Sequence, residues 1–399
     1  MQKFCLSRLV LCCVLVLGLP FLFCGIGNAL ELDFLLPIDQ VDEIYGGTHR
    51  SLYDFAMTNG AAHVVYTKSN NVYYAVLTKD NPNTWNITHL GPGSWPTIAS
   101  DANNNVMIAF ANGNTIYGVG TSTGWNTISI LNGVSGAKPV LSSPFFTTGW
   151  QMVVEGNYDG DSYIEILRLV NNGSGWSSPE ILRDGWYDSG SGNYFSQSSI
   201  AAFADGSYSL AYQFDNWGGN ANWSTRWAGV SGPGTTNIGI GGLPWNSTNI
   251  QLSRRSVSAI SENGSPSGAI FACAINNKLY AAIYNGTEWS WLLQNYEGGS
   301  APAVSWTGGV YADLEGKLHF VTSDEQGVSN ELITYQGNPL SGTAPLIHSM
   351  EDKFFLFRDG NGMLQFGAKI APVPEPASVV SLLTGTVGLL LTVGCRRRK

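Results

Sequence analysis

Charged residues and cysteines are scarce in this chain of 399 residues, and no long segment has the 3.6-residue apolar period of a helix. Only 12% of the residues are charged. Five of the six cysteines lie within the first 24 or the last five residues, which leaves Cys273 alone in the body of the chain. The body therefore has no internal disulfide. Its stability must come from an apolar core, in which Cys273 serves as a small hydrophobic residue.

In the body of the chain, basic residues are scarcer than acidic ones. Between residues 30 and 378, 14 basic residues stand against 29 acidic ones, a net charge near −15. Such a charge repels the phosphates of nucleic acids and the surfaces of anionic membranes. The composition argues against a nucleic-acid partner and suits a soluble exported domain that binds neutral sugars.

The N-terminus has the three parts of a signal peptide. Lys3 and Arg8 make a positive start, residues 9–23 are apolar, and residues 27–29 are small. We therefore predict a signal peptide over residues 1–29 and a mature chain that begins near Leu30. An uncleaved N-terminal anchor is the alternative.

The C-terminal segment, residues 371–399, contains a motif, an apolar run and a basic end. The run over residues 379–395 has no charge, and about 17 residues at 1.5 Å each form a helix near the short limit for a bilayer core. We predict a transmembrane segment there, with the cations after it on the cytoplasmic side. The motif consists of Val373, Pro374, Glu375, Pro376, Ala377 and Ser378, and the basic end of Arg396, Arg397, Arg398 and Lys399.

This tail resembles the PEP-CTERM sorting signal of bacterial surface proteins, in which a Pro-Glu-Pro motif precedes a short membrane span and a basic end. The resemblance covers only the tail. It implies export, a transient membrane anchor, and an exosortase-type enzyme as a partner that cuts near the motif. A permanent C-terminal anchor is the alternative.

Residues 30–370 have the pattern of β-structure, and one strand recurs seven times. The mean spacing of this strand is about 48 residues, with room for four strands in each repeat. The period predicts an all-β domain, a β-propeller of seven four-stranded blades, with six blades as the alternative. The recurring strand falls at residues 63–66, 106–110, 151–154, 208–212, 269–273, 318–321 and 354–357.

Tryptophan and proline mark other places in the repeat. A turn ending in tryptophan recurs at Trp85, Trp125, Trp176 and Trp289, and we interpret these side chains as packing between blades. Several repeats begin with a strand headed by proline. The last repeat ends after three strands near Ile370, so we predict that residues 32–36 supply its fourth strand and close the ring.

The Gly-x-x-Trp turn is similar to that of the sialidase and BNR-repeat group of propellers, whose turns also carry an aspartate. Residues 171–176 contain the glycine and the tryptophan but lack the aspartate. The resemblance implies the fold and no activity. None of the seven arginines of the body stands in the arginine motif that begins a sialidase, so no catalytic residue is carried over.

Candidate chemistry is sparse. Cleavage of a glycoside needs two carboxyl groups about 5–10 Å apart in one pocket, and no spacing singles out such a pair. Five acids near predicted strand ends could line a central funnel, but the sequence favours a solvated turn or a cap for each of them. They are Asp54, Glu155, Asp188, Asp215 and Asp313.

One turn has the oxygen-rich composition of a calcium loop. Asn157, Asp159 and Asp161 alternate as Ca²⁺ ligands would, but the turn lacks the distant glutamate of an EF-hand, and an ordinary hairpin turn is the alternative. Arg358, Asp359 and the three residues after them form a similar turn. We therefore assign no cofactor, with Ca²⁺ as the alternative.

The segment 184–245 is unusually rich in aromatic residues among glycine, asparagine and serine. Aromatic faces beside amides and hydroxyls suit sugar rings, whereas packing between blades is the alternative. The candidate glycan-binding residues are Trp186, Tyr187, Trp217, Trp223 and Trp227.

The sequence therefore favours an exported propeller of the cell envelope or the exopolysaccharide matrix that binds glycan without catalysis. A secreted glycoside hydrolase or lyase using funnel carboxylates, and a protein-interaction scaffold, are the alternatives.

Overall fold

The computed structural model describes most of the body of the chain. The described residues are 29–42, 52–143, 149–160, 164–183, 198–203, 206–212, 223–226, 236–237, 250–262, 265–284, 289–300, 302–305, 307–324, 327–349 and 353–370. The predicted signal peptide, apart from Ala29, and the predicted sorting segment lie outside them. Among the described residues, no helix is both long and apolar enough to cross a membrane.

The described strands form seven sheets, numbered here by their order along the chain. Two N-terminal strands, β1 (Ala29–Glu31) and β2 (Phe34–Gln40), join the last two sheets. Sheet 1 contains β3 (Tyr53–Thr58), β4 (Ala61–Lys68), β5 (Asn71–Thr78) and β6 (Asn81–Pro92). Sheet 2 contains β7 (Ser94–Ser100), β8 (Val106–Asn112), β9 (Thr115–Gly120) and β10 (Ile128–Asn132), with a 3-10 helix at Thr121–Thr123.

The next sheets continue this antiparallel pattern. Sheet 3 contains β11 (Ser135–Ser142), β12 (Trp150–Asn157), β13 (Glu165–Asn171) and β14 (Glu180–Arg183). Sheet 4 contains β15 (Ser199–Ala202), β16 (Tyr208–Ala211), β17 (Trp223–Arg226) and β18 (Thr236–Asn237). Sheet 5 contains β19 (Ile250–Gln251), β20 (Val257–Glu262), β21 (Ser265–Ile275), β22 (Lys278–Tyr284) and β23 (Trp289–Glu297).

The last two sheets each include an N-terminal strand. Sheet 6 contains β24 (Ala303–Ser305), β25 (Gly308–Ala312), β26 (Leu318–Asp324), β27 (Gly327–Tyr335) and β28 (Asn338–Pro339), and β1 pairs in parallel with β27. Sheet 7 contains β29 (Thr343–Ser349), β30 (Lys353–Arg358) and β31 (Met363–Lys369), with β2 as its outer strand.

The innermost strands pack side by side around an axis. β3 contacts β7, β7 contacts β11, and the series continues through β15, β20, β24 and β29 back to β3. The predicted β-propeller is thereby confirmed. The predicted closure is confirmed as well, since β2 pairs antiparallel with β31 from Phe34↔Ala368 onward.

The apolar core is divided among the interfaces between neighbouring sheets. One cluster, for example, joins Val65 and Val72 of sheet 1 to Ile98 and Ile108 of sheet 2. Cys273 is buried in the cluster between sheets 4 and 5, where burial raises the pKa of its thiol, so its predicted role as a small core residue is confirmed. A blade buries both of its faces in this arrangement, which accounts for the lack of charge in its strands.

The predicted packing between blades is confirmed for Trp85 and Trp176, whereas Trp125 touches the neighbouring blade but is half-exposed. Trp85 meets Phe366 of sheet 7 edge-on, with ring centroids 5.5 Å apart. Trp125 lies 5.1 Å from Tyr74 of sheet 1, and Trp176 packs into the cluster between sheets 2 and 3. The side chain of Trp289 lies outside the described residues. The prediction of a turn was wrong for Trp85, which lies within β6, whereas Trp289 begins β23 and the residues before it lie outside the described part.

One strand of the predicted repeat was misaligned. Residues 318–321 belong to β26, the third strand from the axis, whereas the other six copies belong to the second strand of their sheets. The second strand of sheet 6 is β25, which is short and begins with Gly308 and Gly309. Because β25 lacks a long apolar run, the sequence pattern matched the next strand instead.

The predicted proline-headed strands are the innermost ones. Pro96, Pro139 and Pro345 lie in β7, β11 and β29, and Pro302 directly precedes β24. An innermost strand has a hydrogen-bonded partner on one side only, so a residue without an N–H group is tolerated there.

Candidate functional site

The innermost strands of all seven sheets line one cavity of about 180 Å³ on the axis. Much of its wall is apolar, with Ile98, Val140, Ile200, Val304 and Ile347 as examples. Hydroxyl groups interrupt that wall, and they belong to Ser100, Ser142, Ser143, Ser258 and Ser305. The cavity thus combines an apolar surface with small neutral hydrogen-bonding groups.

Two consecutive arginines, Arg254 and Arg255, reach from the start of β20 into this cavity. The Arg255 guanidinium donates to the backbone carbonyl of Ile347 in sheet 7 at 2.9 Å and to that of Phe55 in sheet 1. It also lies 4.5 Å from the centroid of the Phe55 ring. Arg254 donates to the carbonyl of Pro96 in sheet 2. The pair therefore ties sheet 5 to sheets on the far side of the axis.

The backbone of the two arginines joins the flanking sheets as well. The carbonyl of Arg254 accepts from the Ser199 hydroxyl of sheet 4 at 2.7 Å, and the carbonyl of Arg255 accepts from Val304 N–H of sheet 6 at 2.8 Å. Arg254 is only 3% exposed, and burial lowers its pKa to about 10. The guanidinium is therefore still charged at neutral pH.

Asp54 is the carboxylate that balances Arg255. Its Oδ1 lies 3.1 Å from Nη2 of Arg255 and accepts from Phe55 N–H. Its Oδ2 accepts from the Thr97 hydroxyl at 2.9 Å and from Ile98 N–H at 3.1 Å. Both oxygens are thus engaged in contacts between sheets 1, 2 and 5.

Hydrogen bonds also join neighbouring innermost strands at several places around the ring. In each, a backbone N–H of one strand donates to a side chain or carbonyl of the strand before it. The Thr97 hydroxyl accepts from Leu141 N–H, and the Ser142 hydroxyl accepts from Ala202 N–H, both at 3.0 Å. An innermost strand has one edge without a ladder partner, and these contacts satisfy donors on that edge.

Glu155 lies behind the cavity wall and is 1% exposed. Its Oε1 accepts from both the N–H and the hydroxyl of Ser198, and Lys138 Nζ lies 3.8 Å from its Oε2. Glu155 therefore links sheet 3 to the start of sheet 4.

His348 borders the cavity beside Arg255. Burial and the positive charge of Arg255 lower its pKa to about 3, so the imidazole is neutral near pH 7. Its ring centroid lies 5.9 Å from that of Phe55. The cavity therefore presents a neutral imidazole beside its paired charges.

The five predicted funnel acids do not form one site. Asp54 lines the cavity, and Glu155 lies behind its wall. Asp313 has the role of a turn cap, the interpretation that the sequence favoured: it accepts from the N–H groups of Glu315 and Lys317 before β26 and also contacts His319. Asp188 and Asp215 lie outside the described residues.

The predicted calcium loop is only partly described. Asn157 accepts from Gly160 N–H at 3.2 Å, as in an ordinary turn, and Asp161 lies outside the described residues. Asp359 accepts from Asn361 N–H and Met363 N–H, so it too caps a turn. The part of the chain that the structure describes contains no group of three or more metal-ligating side chains.

The predicted glycan-binding residues fall almost wholly outside the described part. Outside it lie Trp186, Tyr187, Trp217, Trp227 and the whole sorting motif. Trp223 begins β17, and its side chain is not described.

Sequence reasoning missed the role of Arg254 and Arg255. The available signal was two adjacent arginines in a body that has only seven. Two adjacent arginines usually indicate an exposed turn. Nothing in the neighbouring sequence shows that the carbonyls to which they donate lie 92 to 200 residues away in the chain.

No family model and no curated protein matches this chain. Similar solved structures include YCF48 bound to a D1 peptide, with 14% identity, 87% of this chain and 98% of that chain covered, and a TM-score of 0.49. The six-bladed fungal lectin of Aleuria aurantia has 12% identity, coverage of 76% and 99%, and a TM-score of 0.41. The WD40 β-propeller domain of Doa1 has 10% identity, coverage of 86% and 99%, and a TM-score of 0.44. Likeness at this level carries no argument about function, and the fold rests on the sheets themselves.

Proposed function

We propose that this chain is an exported β-propeller that binds glycan or matrix polysaccharide without cleaving it. The observation that carries the proposal of binding without cleavage is the bonding of the Asp54 carboxylate. Each of its oxygens is engaged by two donors, and its charge is balanced by Arg255. A glycosidase needs one carboxyl group to protonate the leaving oxygen and a second to act as nucleophile or base. Asp54 and Glu155 both hold sheets together instead.

Asp54 and the two arginines of the cavity already bond between sheets, and the other polar groups of its lining suit a small neutral ligand. Its volume of about 180 Å³ is below that of the pockets that take drug-sized molecules, which suits one sugar unit or the end of a chain. Serine hydroxyls and apolar faces alternate on its wall, as the hydroxyl edges and C–H faces of a sugar require. The aromatic residues Trp186, Tyr187, Trp217, Trp223 and Trp227 belong to the same proposal as further sugar contacts.

The ring in this proposal has seven blades, one for each sheet. Support comes from the cavity, whose wall includes residues of an innermost strand from every sheet. Sheet 4 is the least completely described, and a six-bladed ring would have to omit it.

The proposed location of the protein follows from its two terminal segments. A signal peptide over residues 1–29 exports the chain, and the segment 379–395 anchors it until an exosortase-type enzyme acts near the motif at 373–378. The mature protein then belongs to the cell envelope or the exopolysaccharide matrix. Replacing Pro374, Glu375 and Pro376 with alanine should leave the protein at its unprocessed mass in a host that makes the enzyme. Equal masses for the wild type and the variant would instead indicate a permanent anchor.

The binding function is tested by incubating the purified protein with a panel of bacterial and algal polysaccharides. Both retention of the protein and release of new reducing ends are followed. Retention without new ends is the expected result. New reducing ends would overturn the proposal in favour of a hydrolase, new unsaturated ends would indicate a lyase, and failure of every polysaccharide to retain the protein would favour a protein-interaction scaffold.

A further inference from the structure

Trp125 presents a large aromatic surface to solvent at the outer end of sheet 2. Its side chain is 46% exposed, although Trp85 and Trp176, which recur in the same sequence pattern, are less exposed. The indole N–H groups of Trp85 and Trp176 are buried between sheets. Trp125 therefore packs with one face only and leaves the rest of its ring uncovered.

The ring is held in place on its buried side. Its centroid lies 5.1 Å from that of Tyr74 in sheet 1, and the two planes are inclined by 34°. The Tyr74 hydroxyl lies 2.6 Å from Nδ1 of His63, and Nε2 of His63 lies 2.8 Å from the Thr58 hydroxyl. Tyr74 and His63 are both buried, so this chain of polar contacts fixes the platform on which the indole lies.

The backbone also fixes the indole. Trp125 has φ of 62°, and its N–H donates to the carbonyl of Gly120 at 2.9 Å. A left-handed conformation is strained for a residue with a bulky side chain, whereas glycine adopts it freely, as Gly124 does with φ of 60°. The fold holds this strained turn with a tryptophan in it, and strain of this kind is often found where a side chain serves binding.

The stretch of chain on both sides of Trp125 is uncharged and polar. No residue from 102 to 137 is charged, and this stretch includes β8, β9 and β10. Exposed Thr121 and Asn126 flank the ring in sequence, and Ile128 is 39% exposed. In a body with a net charge near −15, such a surface offers hydrogen bonds and apolar contact without an ionic partner.

We propose that Trp125, supported by Tyr74, is a subsite that stacks on the C–H face of a neutral sugar ring. An indole face attracts apolar surface, and the neighbouring hydroxyls and amides can bond the equatorial edge of the sugar. An acidic sugar would gain no cationic partner there. This inference rests on the proposed function and names one contact point for it, at the outer side of sheets 1 and 2.

The test uses the full-length protein in affinity electrophoresis through gels that contain dextran, starch, mannan or a β-glucan. For the neutral polysaccharide that retards the wild type, Trp125→Ala should raise the dissociation constant about tenfold. This is the change expected for the loss of one stacking contact of about 1.4 kcal/mol. Trp125→Phe should retain part of the effect. The matched control is Ile181→Ala, which removes an equally exposed apolar side chain from sheet 3 and should change nothing.

A second readout reports the site directly. N-bromosuccinimide oxidises exposed indoles, and mass spectrometry locates the oxidised residue. An oligosaccharide from the retaining polysaccharide should protect Trp125. If Trp125→Ala is retained as strongly as the wild type, and the oligosaccharide does not protect Trp125 of the wild type from oxidation, the subsite proposal is wrong. Glycan binding elsewhere on the protein would still stand. If no neutral polysaccharide retains the wild type, the neutral-sugar proposal and the subsite fail together.

Discussion

Asp54 shows how one residue can be read in two ways. In the sequence it is an acid near a strand end, a place where a catalytic carboxylate would fit. In the fold it is almost buried and accepts hydrogen bonds from two sheets while it pairs with Arg255 of a third. Its contribution is therefore to stability.

Replacing Arg255 with methionine should lower the free energy of unfolding by about 3 kcal/mol. The change leaves the Asp54 carboxylate buried without its cation, and breaking a buried pair from one side is strongly destabilising. Urea unfolding followed by circular dichroism measures the loss.

The double variant with Asp54→Asn should lose less than the sum of the single changes, because the two groups are coupled. Lys317→Ala is the control, since the Lys317–Glu315 pair is exposed and solvent screens it. An Arg255→Met variant as stable as the wild type would show that the pair does not hold the ring.

His63 predicts a pH dependence of stability. Burial lowers its pKa from the usual 6.5 to about 4, so between these values the unfolded chain binds a proton that the folded chain does not. Stability is therefore complete above pH 6.5 and falls as the pH drops toward 4.

The measurement is the midpoint of thermal unfolding across this range. His63→Gln should reduce the dependence, and the part that remains should come from His348, whose pKa burial also lowers. A profile of His63→Gln that is parallel to that of the wild type would contradict the assignment.

At the scale of the element, the N-terminal strands decide whether the ring closes. β1 pairs with sheet 6 and β2 with sheet 7, so 12 residues connect two neighbouring blades. Leu32 and Asp33, between the two strands, donate to carbonyls of Thr334 and Ala368. The chain needs β2, close to its N-terminus, to complete its last sheet.

A chain that begins at Val41 should lose the cooperative unfolding transition, because β27 and β31 would both be left with an unpaired edge. A chain that begins at Ala29 should keep the transition of the full-length protein. Scanning calorimetry distinguishes the two. A single sharp transition in the shorter chain would show that closure is dispensable.

Trp85 is the element-scale counterpart of Trp125. Its indole packs between sheets 7 and 1 against Phe366. Trp85→Ala should cost about 3 kcal/mol, as expected for a large side chain removed from a packed interface. Trp125→Ala, at a half-exposed position, should cost much less, and equal losses in urea unfolding would contradict the difference in packing.

At the scale of the whole molecule, net charge makes a prediction about the ligand. A protein with a charge near −15 that binds a neutral glycan forms no ion pairs with it, so salt has nothing to screen. Retention should stay constant as salt rises from about 0.05 M to about 0.5 M. Heparin, a polyanion, should fail to retain the protein at the lower salt. A steep fall of retention with salt would instead indicate a charged ligand.

The sequence by itself determined the class of fold, the repeat and the closing strand. These follow from local patterns, since alternation of apolar residues marks strands and the spacing of turns marks blades. Proline at the head of several repeats also marked the innermost strands correctly. Where the local pattern was weak, as at the short β25, the alignment slipped by one strand.

Only the tertiary structure decided what the polar residues do. Asp54, Thr97 and Arg255 are far apart in the chain, and their contacts exist because the ring brings the starts of its innermost strands together on the axis. The same holds for the difference between Trp85 and Trp125, which share a sequence pattern but differ in how much of the indole the neighbouring sheet covers. A local pattern fixes which way a side chain points within its strand, whereas the groups that it meets depend on the closure of the whole ring.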